Sequence, residues 1–195
     1  GAGDDVAECL NDIGYSVSSL SNEQLMNEDL SVYDAIVVGI RAFNTNEKLY
    51  LCQDRLMAYV KNGGRLIVQY NTNSRVGPLN AGIGPYKFTI SRNRVTDERA
   101  EVRFVNDSLK VLQYPNAIMQ NDFKNWVQER GIYFATEVDS AYHYVFEMND
   151  PNEKSDKGAL IMANYGKGYF VYTGLAFFRQ LPAGVPGAYR LMINL

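Results

Sequence analysis

The sequence predicts an α/β fold with a mainly parallel sheet and an irregular, β-rich stretch in its middle, and three observations carry that expectation. Asp34-Ala35-Ile36-Val37-Val38-Gly39-Ile40 is a continuous apolar run of the kind found in strands buried on both faces. Leu49, Cys52, Leu56 and Val60 follow at spacings of three and four, one face of a helix closed by Gly63-Gly64. Arg65-Leu66-Ile67-Val68-Gln69-Tyr70 is then a second strand, so strand, helix and strand with short joints read as a right-handed βαβ unit. A chain of 195 residues, 46% hydrophobic and 21% charged, is long enough to build such a core without disulfide or metal. Disorder, collagen-like repeats and a disulfide scaffold are excluded on the same grounds.

The remaining elements follow in order. Asp5 with Glu8 three residues on is a capping-box-like start, and Val6, Cys9, Leu10 and Ile13 make a helical stripe that Gly14 ends. Tyr15 to Leu20 alternates like a strand, and Glu23 to Met26 suits a short helical turn. Asn44 and Glu47 form a second cap signal ahead of the Leu49 stripe. From Gly77 to Pro85 the chain is rich in Gly, Pro and Asn and reads as a long loop. Phe88 to Ser91, Val102 to Val105, Ile132 to Ala135 and Tyr142 to Met148 are short strand candidates. Asn121 to Glu129 is expected to be helical around Phe123, Trp126 and Val127. Two apolar segments, 158–165 and 169–173, flank Gly166-Lys167-Gly168 and predict a β-hairpin, because glycine supplies the positive φ a tight turn needs. A last helix is expected after Pro186. The reading is one domain over 1–195 with an insertion over 76–150.

Several classes of chemistry have no foothold in the sequence. The net charge is -3, from 19 Lys+Arg against 22 Asp+Glu, and no basic run offers a nucleic-acid stripe. The longest apolar runs are too short to cross a bilayer. Cys9 and Cys52 fall on apolar helix faces and His143 is the one histidine, so neither spacing nor number suggests a zinc site. No G-x-S-x-G elbow and no glycine-rich phosphate loop of standard spacing occurs. The start Gly1-Ala2-Gly3-Asp4-Asp5 is polar, lacks Met and has no signal-peptide pattern, and reads as the cut edge of a longer chain.

What remains is a set of polar loops. In open α/β sheets ligands gather at the carboxyl ends of the strands. Arg41-Ala42-Phe43-Asn44, Asn71-Thr72-Asn73-Ser74-Arg75 and Phe177-Phe178-Arg179-Gln180 leave such ends, and Gln128-Glu129-Arg130 could join them. Arginine forks, amides and a carboxylate beside aromatic rings suit a sugar or a carboxylate-bearing ligand. The candidate ligand-binding residues are Arg41, Asn44, Asn71, Thr72, Glu129, Arg130 and Arg179; the plain alternative is that they cap helices and tie loops together. No catalytic residue is assigned.

The segments 39–44, 68–72 and 126–131, and above all Phe177-Phe178-Arg179-Gln180-Leu181-Pro182-Ala183-Gly184-Val185-Pro186-Gly187-Ala188-Tyr189-Arg190, carry a resemblance. Over residues 3–195 the chain resembles the domain that follows the catalytic domain in large PIG-L/LmbE-like deacetylases of Bacteroidetes-type bacteria. That domain is similar to class I glutamine amidotransferase-like and ThuA-like proteins. The resemblance implies a flavodoxin-like three-layer sandwich whose first strand is truncated here. It also implies an exported or periplasmic setting, and zinc in the missing catalytic domain alone. The chain departs from both parent patterns: it lacks the His-Pro-Asp-Asp type zinc motif, and Asn71 and Thr72 stand where an amidotransferase has its cysteine.

The leading expectation is therefore a non-catalytic accessory domain of a carbohydrate (N-acetylglucosamine-type) deacetylase, binding a glycan or bracing its own deacetylase domain. Two alternatives stand beside it. One is a sugar-directed hydrolase or isomerase with Glu129 as general base and Arg41 or Arg179 as the clamp. The other is a pure assembly module with a Tyr-rich surface (14 Tyr in all). Unpaired strand edges would make a homo-oligomer unsurprising.

Overall fold

The computed structural model describes residues 3–72 and 82–195. In chain order the elements are α1 (Val6–Asp12), α2 (Asn22–Asn27), β1 (Ala35–Val38), α3 (Ala42–Thr45), α4 (Gln53–Lys61) and β2 (Arg65–Gln69). Seven short strands follow: β3 (Thr89–Ile90), β4 (Arg94–Val95), β5 (Val102–Phe104), β6 (Gly131–Ile132), β7 (Ala135–Thr136), β8 (His143–Tyr144) and β9 (Phe146–Met148). The chain closes with β10 (Leu160–Tyr165), β11 (Gly168–Thr173), α5 (Phe177–Gln180) and α6 (Pro186–Asn194).

The fold is α/β. Its central sheet runs β1-β2-β11-β10-β8. β1 pairs β2 and β2 pairs β11 in parallel, whereas β10 pairs β11 and β8 antiparallel, so the sheet is mixed rather than mainly parallel. The antiparallel half follows from the predicted hairpin, because a tight turn can only return the chain antiparallel. Gly166 takes φ +62 in that turn.

Alternation along β2 and β11 divides the core. Leu66, Val68, Phe170 and Tyr172 pack with Leu56 and Val60 of α4 and Leu25 of α2. Ile67 and Val171 pack with Val6 and Cys9 of α1 and Ala188, Leu191 and Met192 of α6. Three two-stranded ribbons, β3-β7, β4-β6 and β5-β9, flank the sheet, and their Phe88, Ile90, Val95, Phe134 and Phe146 join the same two cores.

Several local expectations need correction. Residues 15–20 form no strand, because their alternation has no buried side to pair it with: only Val17 and Leu20 are even partly covered. Asp5 is the N-cap of α1 but its side chain makes no capping bond; Asp4 instead accepts from Val6 N at 3.3 Å. Asn44 lies inside α3, so it caps nothing at Glu47. The stretch 121–129 is a 3-10 turn over Gln120–Phe123 followed by irregular chain, with Asn125 and Gln128 at positive φ. Phe123 and Trp126 are buried but Val127 is exposed, so the apparent stripe is two separate anchors. Residues 132–135 split at Tyr133 (φ +55) into β6 and β7, which pair different strands. Residues 142–148 likewise divide between β8 on the central sheet and β9 on a ribbon. Asn73, Ser74, Arg75 and the part of the Gly77–Pro85 loop up to Ala81 lie outside the described residues.

Candidate functional site

The loops leaving β1 and β2 are tied by two asparagines. Asn71 is 2% exposed; its Oδ1 accepts from Phe43 N at 3.0 Å and its Nδ2 donates to Gln69 O at 3.1 Å. Asn44 reads the backbone of Thr72 on both sides, accepting from its N at 2.7 Å and donating to its O at 3.2 Å. Side-chain amides mimic a peptide partner in this way and hold loops where no sheet continues. Between them Arg41 turns the chain into α3 at φ 54, ψ 18, its N–H donating to Tyr70 O at 2.8 Å. A left-handed conformation at a non-glycine residue costs on the order of 1 kcal/mol, and Arg41 is exposed.

A second set comes from residues 127–133, which two glycines press against the end of β11. A Cβ on Gly174 would lie 2.5 Å from Ile132 O, and one on Gly131 would collide with the Gly174 carbonyl. Ile132 N donates to Gly174 O at 2.8 Å and Ala176 N to Arg130 O at 3.0 Å. Gln180, fully buried on α5, clamps the same stretch: its Oε1 accepts from Val127 N at 2.8 Å, and its Nε2 donates to Val127 O at 3.0 Å. This clamp sets Glu129 against Arg179, whose Nε donates to Glu129 Oε1 at 2.8 Å. The carboxylate side chain is 13% exposed and the guanidinium 38%.

Aromatic rings connect the two sets. Tyr70 stacks on Tyr133 at 5.5 Å and 14°, and meets Phe178 at 5.4 Å. The Arg179 guanidinium lies 4.9 Å over the Phe178 ring, within the range of an attractive cation–π contact. Burial pushes the Tyr70 phenol up; Arg41 and Arg179 oppose that shift, while Tyr133 and Glu129 reinforce it. Arg41, Glu129 and Arg179 therefore all act on one phenol, which draws three of the sequence-predicted residues into one neighbourhood. Tyr172 Oη donates to Tyr133 O at 2.7 Å.

Arg130 has a different place. It is 4% exposed, donates to Ala100 O at 3.1 and 2.9 Å and to Phe123 O at 2.5 Å, and lies over Phe123 and Trp126. Burial pushes its guanidinium down to about 10, so it stays cationic at neutral pH. Arg130, Asn44 and Asn71 shape the site by holding backbone, and Thr72 is the backbone that Asn44 holds.

Beside Glu129 a cavity of about 270 Å³ is lined by Arg92, Arg94, Thr96, Glu129, Ile132 and Tyr133. A larger hollow of about 480 Å³, lined by Gly84, Tyr86, Lys87, Phe88, Thr89 and Glu137, lies apart from these loops; among the described residues its one cation is Lys87. The smaller cavity is taken as the candidate site because it adjoins the Glu129–Arg179 pair and is lined by two arginines. Among the described residues no group of three or more His, Cys, Asp or Glu could hold a metal ion. His143 is exposed on β8, and both cysteines are buried.

Tyr70, Tyr133, Phe178, Arg92, Arg94 and Gln180 were absent from the candidate residues read from the sequence. Arg92, Arg94 and Thr96 carry no local signal, because the strand here is only Arg94–Val95 and Asn93 is exposed like its neighbours. Nothing local marks Tyr133, because its position depends on a backbone reversal.

No family model matches the chain, and no curated protein matches it by sequence. Among solved structures it is similar to cytoplasmic protein STM3548 from Salmonella typhimurium, at 16% identity and a TM-score of 0.59 over 96% of this chain and 82% of that one. Cytoplasmic protein STM1381 from Salmonella typhimurium LT2 aligns at 15% identity and a TM-score of 0.50, over 86% and 73%. A β-galactosidase from Rahnella sp. R3 aligns at 17% identity and a TM-score of 0.49; 96% of this chain is covered but only 26% of that one. Identities this low show a shared fold alone.

Proposed function

We propose that the chain is an accessory α/β domain that binds a saccharide where the loops leaving β1, β2 and β11 meet. The observation that carries this reading is the Glu129–Arg179 pair set beside the Tyr70, Tyr133 and Phe178 rings. Sugars present apolar faces that stack on aromatic rings and hydroxyls that bond to planar charged groups, and this site offers both. Helices packed on both faces of the sheet support a flavodoxin-like three-layer sandwich, a fold whose ligands sit at this end. In the setting the sequence resemblance implies, the domain would present glycan to a PIG-L-like deacetylase partner.

Calorimetric titration with a panel of monosaccharides, amino sugars and their N-acetyl forms tests the reading. Saturable binding, weakened at least about tenfold in Arg179→Ala by loss of a charge-assisted bond, is the expected result. No saturable binding to any sugar overturns it, and binding indifferent to Arg179→Ala places the ligand elsewhere.

A second reading, a sugar-directed hydrolase or isomerase, is favoured by the shielded Glu129 carboxylate with a guanidinium in contact. Turnover of a bound sugar that Glu129→Gln abolishes while leaving the sugar bound would establish it.

A further inference from the structure

We infer that the cavity adjoining this site, which shares Glu129 and Tyr133 with it, selects a uronic acid, with Arg92 and Arg94 taking the sugar's carboxylate. The inference rests on the saccharide reading above and adds the ligand's charge. Arg94 lies on the open side of the two-residue β4 and Val95 on its buried side, at 1% exposure; Arg92 and Thr96 flank the strand and are exposed. The register Arg94↔Ile132 brings that side next to Ile132 and the following Tyr133, and all five residues line the cavity with Glu129.

Charge decides the ligand class. Among the described residues no ion pair engages Arg92 or Arg94. One carboxylate in electrostatic reach of Arg94 is Asp150. It is already occupied: it accepts from Thr96 N, Thr96 Oγ1 and Asp97 N at 2.8 to 2.9 Å. Glu129 is held by Arg179. Two forked donors are thus left facing the cavity in a protein whose net charge is -3. Guanidinium forks match the geometry of a carboxylate. The Glu129 carboxylate on the cavity wall disfavours a dianion such as phosphate more than a monoanion. Tyr133 offers a ring face, and Thr96 and Glu129 offer partners for hydroxyls, so the carboxylate belongs on a sugar rather than on a free acid. A cavity of about 270 Å³ has room for one such ring and not for an extended chain.

The test compares methyl glucuronide and methyl galacturonide with methyl glucoside and methyl galactoside by calorimetry. Acetate and inorganic phosphate alone serve as further probes, and the variants are Arg92→Gln/Arg94→Gln and Arg92→Lys/Arg94→Lys. The expected result is at least tenfold tighter binding of a uronide than of its neutral counterpart. That ratio collapses toward one in the glutamine variant and recovers only partly in the lysine variant, which restores charge without the fork. Equal binding of acidic and neutral sugars overturns the inference and leaves the saccharide reading standing. Binding of neither overturns both. Acetate or phosphate binding as tightly as the uronide overturns it too, since the arginines would then hold a free anion. Thermal melts confirm that each variant is folded before its titration is read.

Discussion

Gln180 shows how much of the candidate site depends on a side chain that bonds only to backbone. It is fully buried, and both its amide atoms bond to the backbone of Val127, with a further bond from Nε2 to Glu129 O at 3.3 Å. Gln180→Leu keeps the volume but strands a donor and an acceptor on residue 127. Leaving buried polar groups unmatched costs about 1–3 kcal/mol, so denaturant unfolding should show a loss of that size. The loosened Glu129 should also weaken the proposed sugar binding beyond what the stability loss explains. A Gln180→Leu protein as stable as wild type would mean that water replaces the amide. Asp150 carries a pH signature. Burial raises its carboxyl, but the N–H groups of Asp97 and Thr96, the Thr96 hydroxyl and Arg94 outweigh that and hold it below its ordinary 3.8. A carboxylate depressed in the folded state contributes stability that is complete above its unfolded value and is lost as pH falls through the folded one. Asp150→Asn should therefore destabilise at neutral pH, with the gap to wild type closing below pH 3.8. Parallel stability–pH curves for the two proteins would show that the depression is absent in solution.

The elements that build the site meet through two glycines. Gly174 follows β11 and Gly131 begins β6; the Gly174 carbonyl fills the space beside Gly131, and the Ile132 carbonyl fills the space beside Gly174. Gly174→Ala pushes a methyl to 2.5 Å from Ile132 O, where backbone, not a yielding side chain, must move. The expected cost is about 1–3 kcal/mol, in the range of overpacked interiors, with the Glu129–Arg179 contact lengthened as β6 withdraws. Unfolding curves measure the first and a crystal structure of the variant the second; an unshifted midpoint would mean that β6 yields freely. The same elements show what a sequence reveals. Ala35–Val38, Arg65–Gln69 and the Leu160–Thr173 hairpin were legible because each buries a long apolar side, and burial writes periodicity into the chain. Arg41 and Arg179 were legible because they follow those strands. The two-residue ladders were blurred: β6 and β7 read as one strand, since nothing in Ile132-Tyr133-Phe134-Ala135 marks the reversal at Tyr133. Helical spacing of Phe123, Trp126 and Val127 misled for the opposite reason: two anchors packing at different points imitate a stripe that no helix carries.

At the scale of the molecule, the question is whether the stretch after β2 is an attachment to the sheet or part of its stability. An insertion over 76–150 would be expected to open without disturbing β2 and β11. The packing argues otherwise for the described part. Phe134 and Phe146, both fully buried, share a core with Ile67 and Val171, and Phe88 and Tyr142 share the other with Phe170 and Tyr172. Val145 N donates to Leu160 O at 3.2 Å, Tyr172 Oη to Tyr133 O at 2.7 Å, and β8 is itself the fifth strand of the central sheet. Opening the ribbons would expose aromatic surface on both faces of the sheet at roughly 25 cal/mol per Å², a large share of what holds a domain of this size together. Hydrogen exchange should therefore give the amides of Phe134 and Val145 the same opening free energy as those of Ile67 and Val171, the signature of one cooperative unit. The exposed segment 15–20, which no strand pairs, should exchange far sooner through local opening. A distinctly lower opening energy for Phe134 and Val145 would make the ribbons a separate unit. Glu129 and Tyr133 would then detach from Arg179 and Tyr70 without global unfolding, so the candidate site would form and dissolve while the sheet stayed folded.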